Sequence, residues 1–299
     1  MDWQQGKKRM LNQLEEEVRS HFSGEEADHI TDFSRQVNDR SSAEDNSHRQ
    51  LADLYGATIG SWRFIQKLGG EEFKVRVFNP NYRQHGWQLG HTVVTLLSRN
   101  MPFITDSVRG ELNRRNITIH SIQTTTFTMI RDGSGKLIEL LPARSVMKPP
   151  KGCVLSEEAL IYFEIDRHSD EQVMVDITTA LQSILKEVAL VVDDFKSMSA
   201  AAKTIITDVK STKLQKLATS KELEAFISWL LDGNFMFLGY EKLTVDYIGD
   251  DVAVSRSGER YGLFRTRESR GCIDLQREIL RAENKEKLLD HHVTFSKSS

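Results

Sequence analysis

One stretch of this 299-residue chain has residue types and spacing suited to binding: His91 to Val108, HTVVTLLSRNMPFITDSV. A strand-like run (Val93, Val94, Leu96, Leu97) stops at Asn100-Met101-Pro102. A helix-like pattern (Ile104, Val108, Leu112) follows at once. Such a junction presents free backbone N–H groups at the helix start, where a small anion or carboxylate can sit. Other candidate chemistry fails on spacing. Gly133-Ser134-Gly135 is followed by Leu137 and Ile138 where a dinucleotide loop would need its third glycine. Gly135-Lys136 lacks the upstream glycine and the Ser or Thr of a phosphate loop. HExxH, CxxC and GxSxG are all missing from the sequence. His291-His292 lack acidic ligands in register. Asp193-Asp194 and Asp250-Asp251 are sequence neighbours, which point apart on a helix, and read as solvated surface. The expectation is a segment with no catalytic residues, no metal ligands and no cofactor-binding residues of its own.

Three further groups have a bland and a sharp reading. Arg109, Arg114 and Arg115 form either a phosphate patch or a solvated helix face, where positive charge near the carboxyl end is favourable. His120 alternates with Ile119 and Ile122 and reads as a hydrogen-bonded sheet histidine. Trp62 and Trp87 lack the basic-aromatic alternation of a stacking platform and read as packing anchors.

The elements that must position these residues follow from periodicity. Leu11, Leu14, Val18 and Phe22 keep helical spacing, as do Ile30, Phe33 and Val37, and later Leu51, Leu54, Tyr55, Ile59 and Trp62. Ser23 with Glu26, and Ser47 with Gln50, have capping-box spacing. From Phe73 the period becomes two, ending at Asn79-Pro80. Then come a strand over His91 to Ser98, a helix over Phe103 to Arg115 and a long strand over Ile117 to Ile130. An Asp132-Gly133 turn leads into a return run, Lys136 to Leu141. Pro142 to Ser156 reads as irregular, Leu160 to Asp166 as a strand, and Ile177 to Val188 as an amphipathic helix. Helical pattern continues to Leu231, two strands follow at Phe235 to Val245 and Tyr261 to Arg265, and 275–290 is helical again.

The order strand, helix, strand, strand, helix is most of a ferredoxin-like βαββαβ unit. The predicted fold class is therefore α+β: an antiparallel sheet with helices on one face, after a helical segment and before the start of a second α+β unit. The expected division is 1–66 helical, 67–195 the first α+β domain, 196–232 a helical connector and 233–299 the start of a second module. The last strand of the sheet is either Phe73 to Asn79 or Phe235 to Val245. On the long strand, Thr118, His120, Ile122, Thr124, Thr126 and Thr128 fall on one face, and Ile117, Ile119, Phe127 and Met129 on the other. A face without helices needs cover, either from a partner through a strand edge or from the amino-terminal helices.

Composition limits the function classes. Hydrophobic content of 39% with 28% charge is globular. No apolar run approaches the roughly 18–20 residues of a membrane span, and the start has no signal-like apolar core. A net charge of −3 offers no bulk attraction to nucleic acid. Cys153 and Cys272 form no framework, which suits a reducing cytoplasm.

Several motifs together resemble the amino-terminal region of the large bacterial NAD-specific glutamate dehydrogenases: Leu51 to Trp62 (LADLYGATIGSW), Lys74 to Pro80 (KVRVFNP), Gly86-Trp87, His91-Thr92-Val93, Met101-Pro102-Phe103, Asp106-Ser107-Val108, Glu111 to Arg115 (ELNRR), Phe163 to Arg167 (FEIDR) and Trp229 to Tyr240 (WLLDGNFMFLGY). They occur in the family's order over about residues 51 to 267. The resemblance implies ACT-like regulatory modules ahead of a catalytic domain that lies elsewhere. It implies a parent reaction of L-glutamate, NAD and water to 2-oxoglutarate, ammonia and NADH, with NAD the parent's cofactor. None of that family's catalytic residues falls on this segment, which reads as a piece of a longer enzyme. In ACT domains the first strand-to-helix loop helps bind an amino-acid effector. Asn100 stands here where the family usually has Asp, and Phe103 where it has a small Gly. The effector-site candidates are Asn100, Met101, Pro102, Phe103 and Ile104. For the junction the other reading is that Pro102 starts the helix and Phe103 packs into the core; for the chain the alternative is a purely structural assembly module with no ligand. Expected partners are the rest of the parent chain, further copies of this chain and such an effector, with no nucleic acid and no membrane.

Overall fold

The computed structural model describes residues 3–39, 50–69, 72–211, 218–248 and 251–266. The chain forms two compact units that meet between Lys186 and Glu187.

The first unit opens with helices α1 (Trp3–His21), α2 (Gly24–Asp39) and α3 (Leu51–Ile65). α2 starts one residue after Ser23, as its capping-box spacing predicts, whereas α3 is preceded by an extended Gln50 whose side chain makes no cap bond. Five strands follow: β1 (Phe73–Phe78), β2 (Thr92–Arg99), β3 (Ile119–Asp132), β4 (Leu137–Pro142) and β5 (Cys153–Ile165). Helix α4 (Ile104–Arg114) links β2 to β3, and α5 (Glu171–Ser211) follows β5. The sheet order is β1-β2-β5-β3-β4, with every pair antiparallel. This is the ferredoxin-like, ACT-like arrangement with one substitution of parts. The place beside β2 that a fourth strand would take belongs to β1, which precedes the unit in sequence. Of the two strands that could complete the sheet, Phe73–Phe78 does so.

β5 is the central strand, and residues 158–165 are buried without a break. It starts at Cys153, earlier than periodicity suggests, because β3 is fourteen residues long and offers partners as far as Asp132, opposite Cys153. Backbone groups there pair with a ladder even where side chains alternate poorly. The β3–β4 turn needs a glycine. Gly135 has φ +80°, and a Cβ there would stand 1.8 Å from the Leu68 carbonyl oxygen. Asp132 Oδ1 accepts from the backbone N–H groups of Ser134 (2.8 Å) and Lys136 (3.0 Å), which closes the turn.

Both faces of the sheet are covered within the chain. Leu97, Leu160, Phe127 and Met129 share a core with Val18, Ile30, Phe33, Ile59 and Trp62 from the three amino-terminal helices. Phe33 stacks on Phe127 with ring centroids 5.6 Å apart. Each such buried side chain contributes roughly 1.5–3 kcal/mol of transfer free energy, so the helices are an integral layer. The opposite face carries Val94, Leu96, Ile161, Phe163 and Ile165, all fully buried. Thr105 of α4 meets Thr124 of β3 at 3.4 Å on this face. Ile104, Val108 and Leu112 of α4 are buried, as are Ile177, Leu181 and Leu185 of α5. The threonine-bearing side of β3 thus faces α4, and the Phe127–Met129 side faces the amino-terminal helices.

In the second unit α5 continues, followed by α6 (Ala218–Trp229), a turn with Gly233 at φ +87°, and a hairpin of β6 (Gly239–Ile248) and β7 (Asp251–Gly262). These strands replace the predicted Phe235–Val245 and Tyr261–Arg265. Met198, Ala202, Leu230 and Phe237 form its core. Asp194 is not a solvated carboxylate. It accepts from the Gly262 backbone N–H at 2.8 Å and pairs with Arg265 at 3.4 Å. The predicted helix over 275–290 and the His291-His292 pair lie outside the described residues.

Candidate functional site

The junction after β2 is built by a ladder that overruns the strand. The Asn100 N–H donates to the Glu157 carbonyl (2.8 Å), and Asn100 Nδ2 to Glu157 Oε2 (3.3 Å). Met101 turns inward, 5% exposed, and Arg99 reaches its sulfur at 3.6 Å. Pro102 stays outside the helix. Phe103 caps α4 with φ 65° and ψ 2°, the left-handed region, and makes no side-chain cap bond. A bulky residue in that region costs roughly 1–2 kcal/mol. Glycine would adopt this backbone freely, whereas phenylalanine holds it at that cost. The Phe103 carbonyl accepts the first helical bond, from Ser107 at 2.9 Å. Ile104 is 4% exposed, whereas Phe103 is 51% exposed and is not a core residue. Of the five candidates, Met101 and Ile104 therefore enter the core, while Asn100, Pro102 and Phe103 stay at the surface over the start of α4.

The arginines of α4 are paired. Arg114 and Arg115 both grip Glu111, at 2.8 and 2.7 Å, and Arg109 pairs with Asp106 at 3.1 Å. Burial pushes the Glu111 carboxyl up, but the bonds from Arg114 and Arg115 outweigh it and leave it below its usual range. A phosphate patch made of these side chains is the weaker reading.

A second constellation lies at one end of the sheet. The β3–β5 register shifts between Ile119 and Ser121, so His120 is the extra residue of a β-bulge. A bulge re-aims a side chain. Here it stacks the His120 ring on His91, with centroids 4.2 Å apart and planes 17° from parallel. His120 Nε2 lies 2.9 Å from Asp166 Oδ1, and His91 Nδ1 lies 3.4 Å from Glu164 Oε2. The Thr118 hydroxyl and backbone N–H, with His120, hold the Asp166 carboxyl down at about 2. His120 also lines a shallow hollow of about 450 Å³ with Arg109, Asn113, Thr118 and Ile122. These rings and carboxylates can exchange protons and hydrogen-bond. Among the described residues no group of three or more His, Cys, Asp or Glu is placed to hold a metal ion. The sequence marks His120 as a bonded sheet histidine, as it is, but gives no sign of its pairing with His91, because alternation does not reveal a bulge. Trp62 and Trp87 are packing anchors, 8% and 3% exposed.

Comparison with known proteins matches this architecture. Residues 33–181 match the family described as glutamate dehydrogenase, ACT1 domain, a span running from α2 through the whole sheet into α5. The NAD-specific glutamate dehydrogenase of Pseudomonas aeruginosa is 37% identical over 235 residues, 78% of this chain and 14% of that protein. The enzyme of the same name from Halomonas elongata is 37% identical over 238 residues, 79% of this chain and 14% of its own length. That of Mycobacterium tuberculosis is 24% identical over 166 residues, 55% of this chain and 10% of its own. The chain thus spans about 14% of the length of the two more similar relatives. An antiparallel sheet in this strand order and a match over most of its length agree: the chain belongs to the NAD-specific glutamate dehydrogenase family, with residues 33–181 as its ACT1 domain.

Proposed function

We propose that this chain is a non-catalytic regulatory and assembly region of an NAD-dependent glutamate dehydrogenase. The parent enzyme would oxidise L-glutamate with NAD and water to 2-oxoglutarate, ammonia and NADH, in the cytoplasm, as part of amino-acid catabolism. The region's own task would be to bind an amino-acid effector at the β2–α4 junction, around Asn100, Met101, Pro102, Phe103 and Ile104. The observation that carries this reading is the left-handed Phe103 at the start of α4. A strained backbone kept at a loop where a helix offers free N–H groups is the kind of feature that function preserves. A thermal-shift screen of amino acids against the 299-residue chain tests it. A ligand of the folded state present at a hundred times its Kd stabilises by about 2.7 kcal/mol. One amino acid that raises the melting temperature, and loses that effect in Asn100→Ala, supports the site. No response to any amino acid leaves the structural alternative. That alternative has its own support, because a half-exposed Phe103 beside an Asn100 already engaged by Glu157 also suits a contact between subunits. Light scattering on the parent chain and Phe103→Ala separates the two.

A further inference from the structure

Among the described residues, Arg76 on β1 has no carboxylate partner. Its guanidinium lies 4.1 Å from the Phe78 ring and 5.1 Å from that of Phe64, and its Nε is buried with no hydrogen-bond partner among the described residues. Burial pulls its pKa below the usual arginine range. The titratable neighbours that feel its charge include Lys74, His85 and Tyr162, of which only the Tyr162 phenol favours the charged guanidinium. Trp87, 3% exposed, lies over the same part of α3. Gly56 and Gly60 are one helical turn apart on α3 and have different tasks. A Cβ on Gly56 would strike Trp87 at 2.4 Å, so Gly56 seats the indole. A Cβ on Gly60 would stand 3.8 Å from Trp87 Nε1 and 4.0 Å from Arg76 Nη2, with no other contact within 4 Å. Two donors therefore converge on one point above Gly60.

A partly desolvated guanidinium whose Nε lacks a hydrogen-bond partner is costly, and the cation–π contacts with Phe64 and Phe78 leave its in-plane donors unused. The two donors near Gly60 suit one planar anion, because the guanidinium fork matches a carboxylate and the indole N–H supplies a further donor. We propose that Arg76 and Trp87 form a binding site for a small carboxylate anion, floored by Gly60. It lies between β1 and α3, apart from the β2–α4 junction, and does not rest on the effector reading.

The test is nuclear magnetic resonance of the 15N-labelled chain, whose four tryptophans give separate indole N–H signals. The Trp87 signal is assigned as the one lost in Trp87→Phe. Sodium acetate is titrated against sodium chloride of equal ionic strength. The expected result is a saturable shift of the Trp87 signal with acetate and a smaller, linear one with chloride. Gly60→Ala adds a methyl group at ordinary contact distance on a helix, so it folds while occupying the anion's place. It should weaken the acetate response about tenfold or more, and Arg76→Gln should abolish it. The proposal is overturned by equal effects of acetate and chloride, by a Gly60→Ala variant that titrates like the parent, or by a Trp87 signal that acetate does not move.

Discussion

At the scale of single residues, Asp166 shows how position sets chemistry. Its carboxylate accepts from the Thr118 hydroxyl, the Thr118 backbone N–H and His120, and it titrates at about 2 against an ordinary 3.8. Because the folded value is depressed, Asp166 contributes stability that is fully present above about pH 4 and is lost as pH falls toward 2. Asp166→Asn should therefore flatten the acid limb of the stability curve between those values. Urea unfolding of both proteins at successive pH values checks this. Curves that stay parallel through the window would show that the Thr118 and His120 contacts do not hold the charge.

Among the elements, one buried ion pair joins what the chain separates. Arg131 of β3 meets Glu158 of β5 twice at 2.7 Å, with side chains 7% and 2% exposed. Its remaining donors reach the carbonyls of Ile65, at the end of α3, and Gly135, in the β3–β4 turn, both at 3.0 Å. One guanidinium thus fastens helix, hairpin and central strand. Removing one partner of such a pair leaves a buried charge uncompensated, so Glu158→Ala should cost about 3–5 kcal/mol in urea unfolding. Adding Arg131→Met should restore part of that loss. Strictly additive effects would mean that the two side chains act independently.

Across the whole molecule, the amino-terminal helices and the sheet share one core. The sequence pattern points to the threonine side of the long strand as the open face, but that side meets α4, and the Phe127–Met129 side is the one covered by Val18, Ile30, Phe33, Ile59 and Trp62. A chain of residues 1–186 should therefore fold cooperatively, whereas removing residues 1–39 should expose Leu97, Phe127, Met129 and Leu160 and cause aggregation. Circular dichroism melting and light scattering of the two truncations report the difference. A soluble, cooperatively melting protein without residues 1–39 would show that the helical layer is dispensable.

The sequence by itself determined the repeating local parts: helices through Leu14-Val18 and Ile30-Phe33, alternating strands, the Asp132-Gly133 turn, and Trp62 and Trp87 as anchors. It also carried the family resemblance, because ordered motifs survive in the chain whatever their spatial arrangement. These features depend on neighbours along the chain, where a period of two or 3.6 is visible directly. Tertiary structure alone decided that β1 completes the sheet, since Phe73–Phe78 and the later Phe235 run have the same alternation and differ only in what they meet. It decided the facing of His120, because one bulged residue reverses the side on which a side chain falls. It also put Phe103 in a left-handed turn and brought Arg76 to Trp87. Those outcomes depend on which distant surfaces pack together, and a one-dimensional pattern holds no term for that.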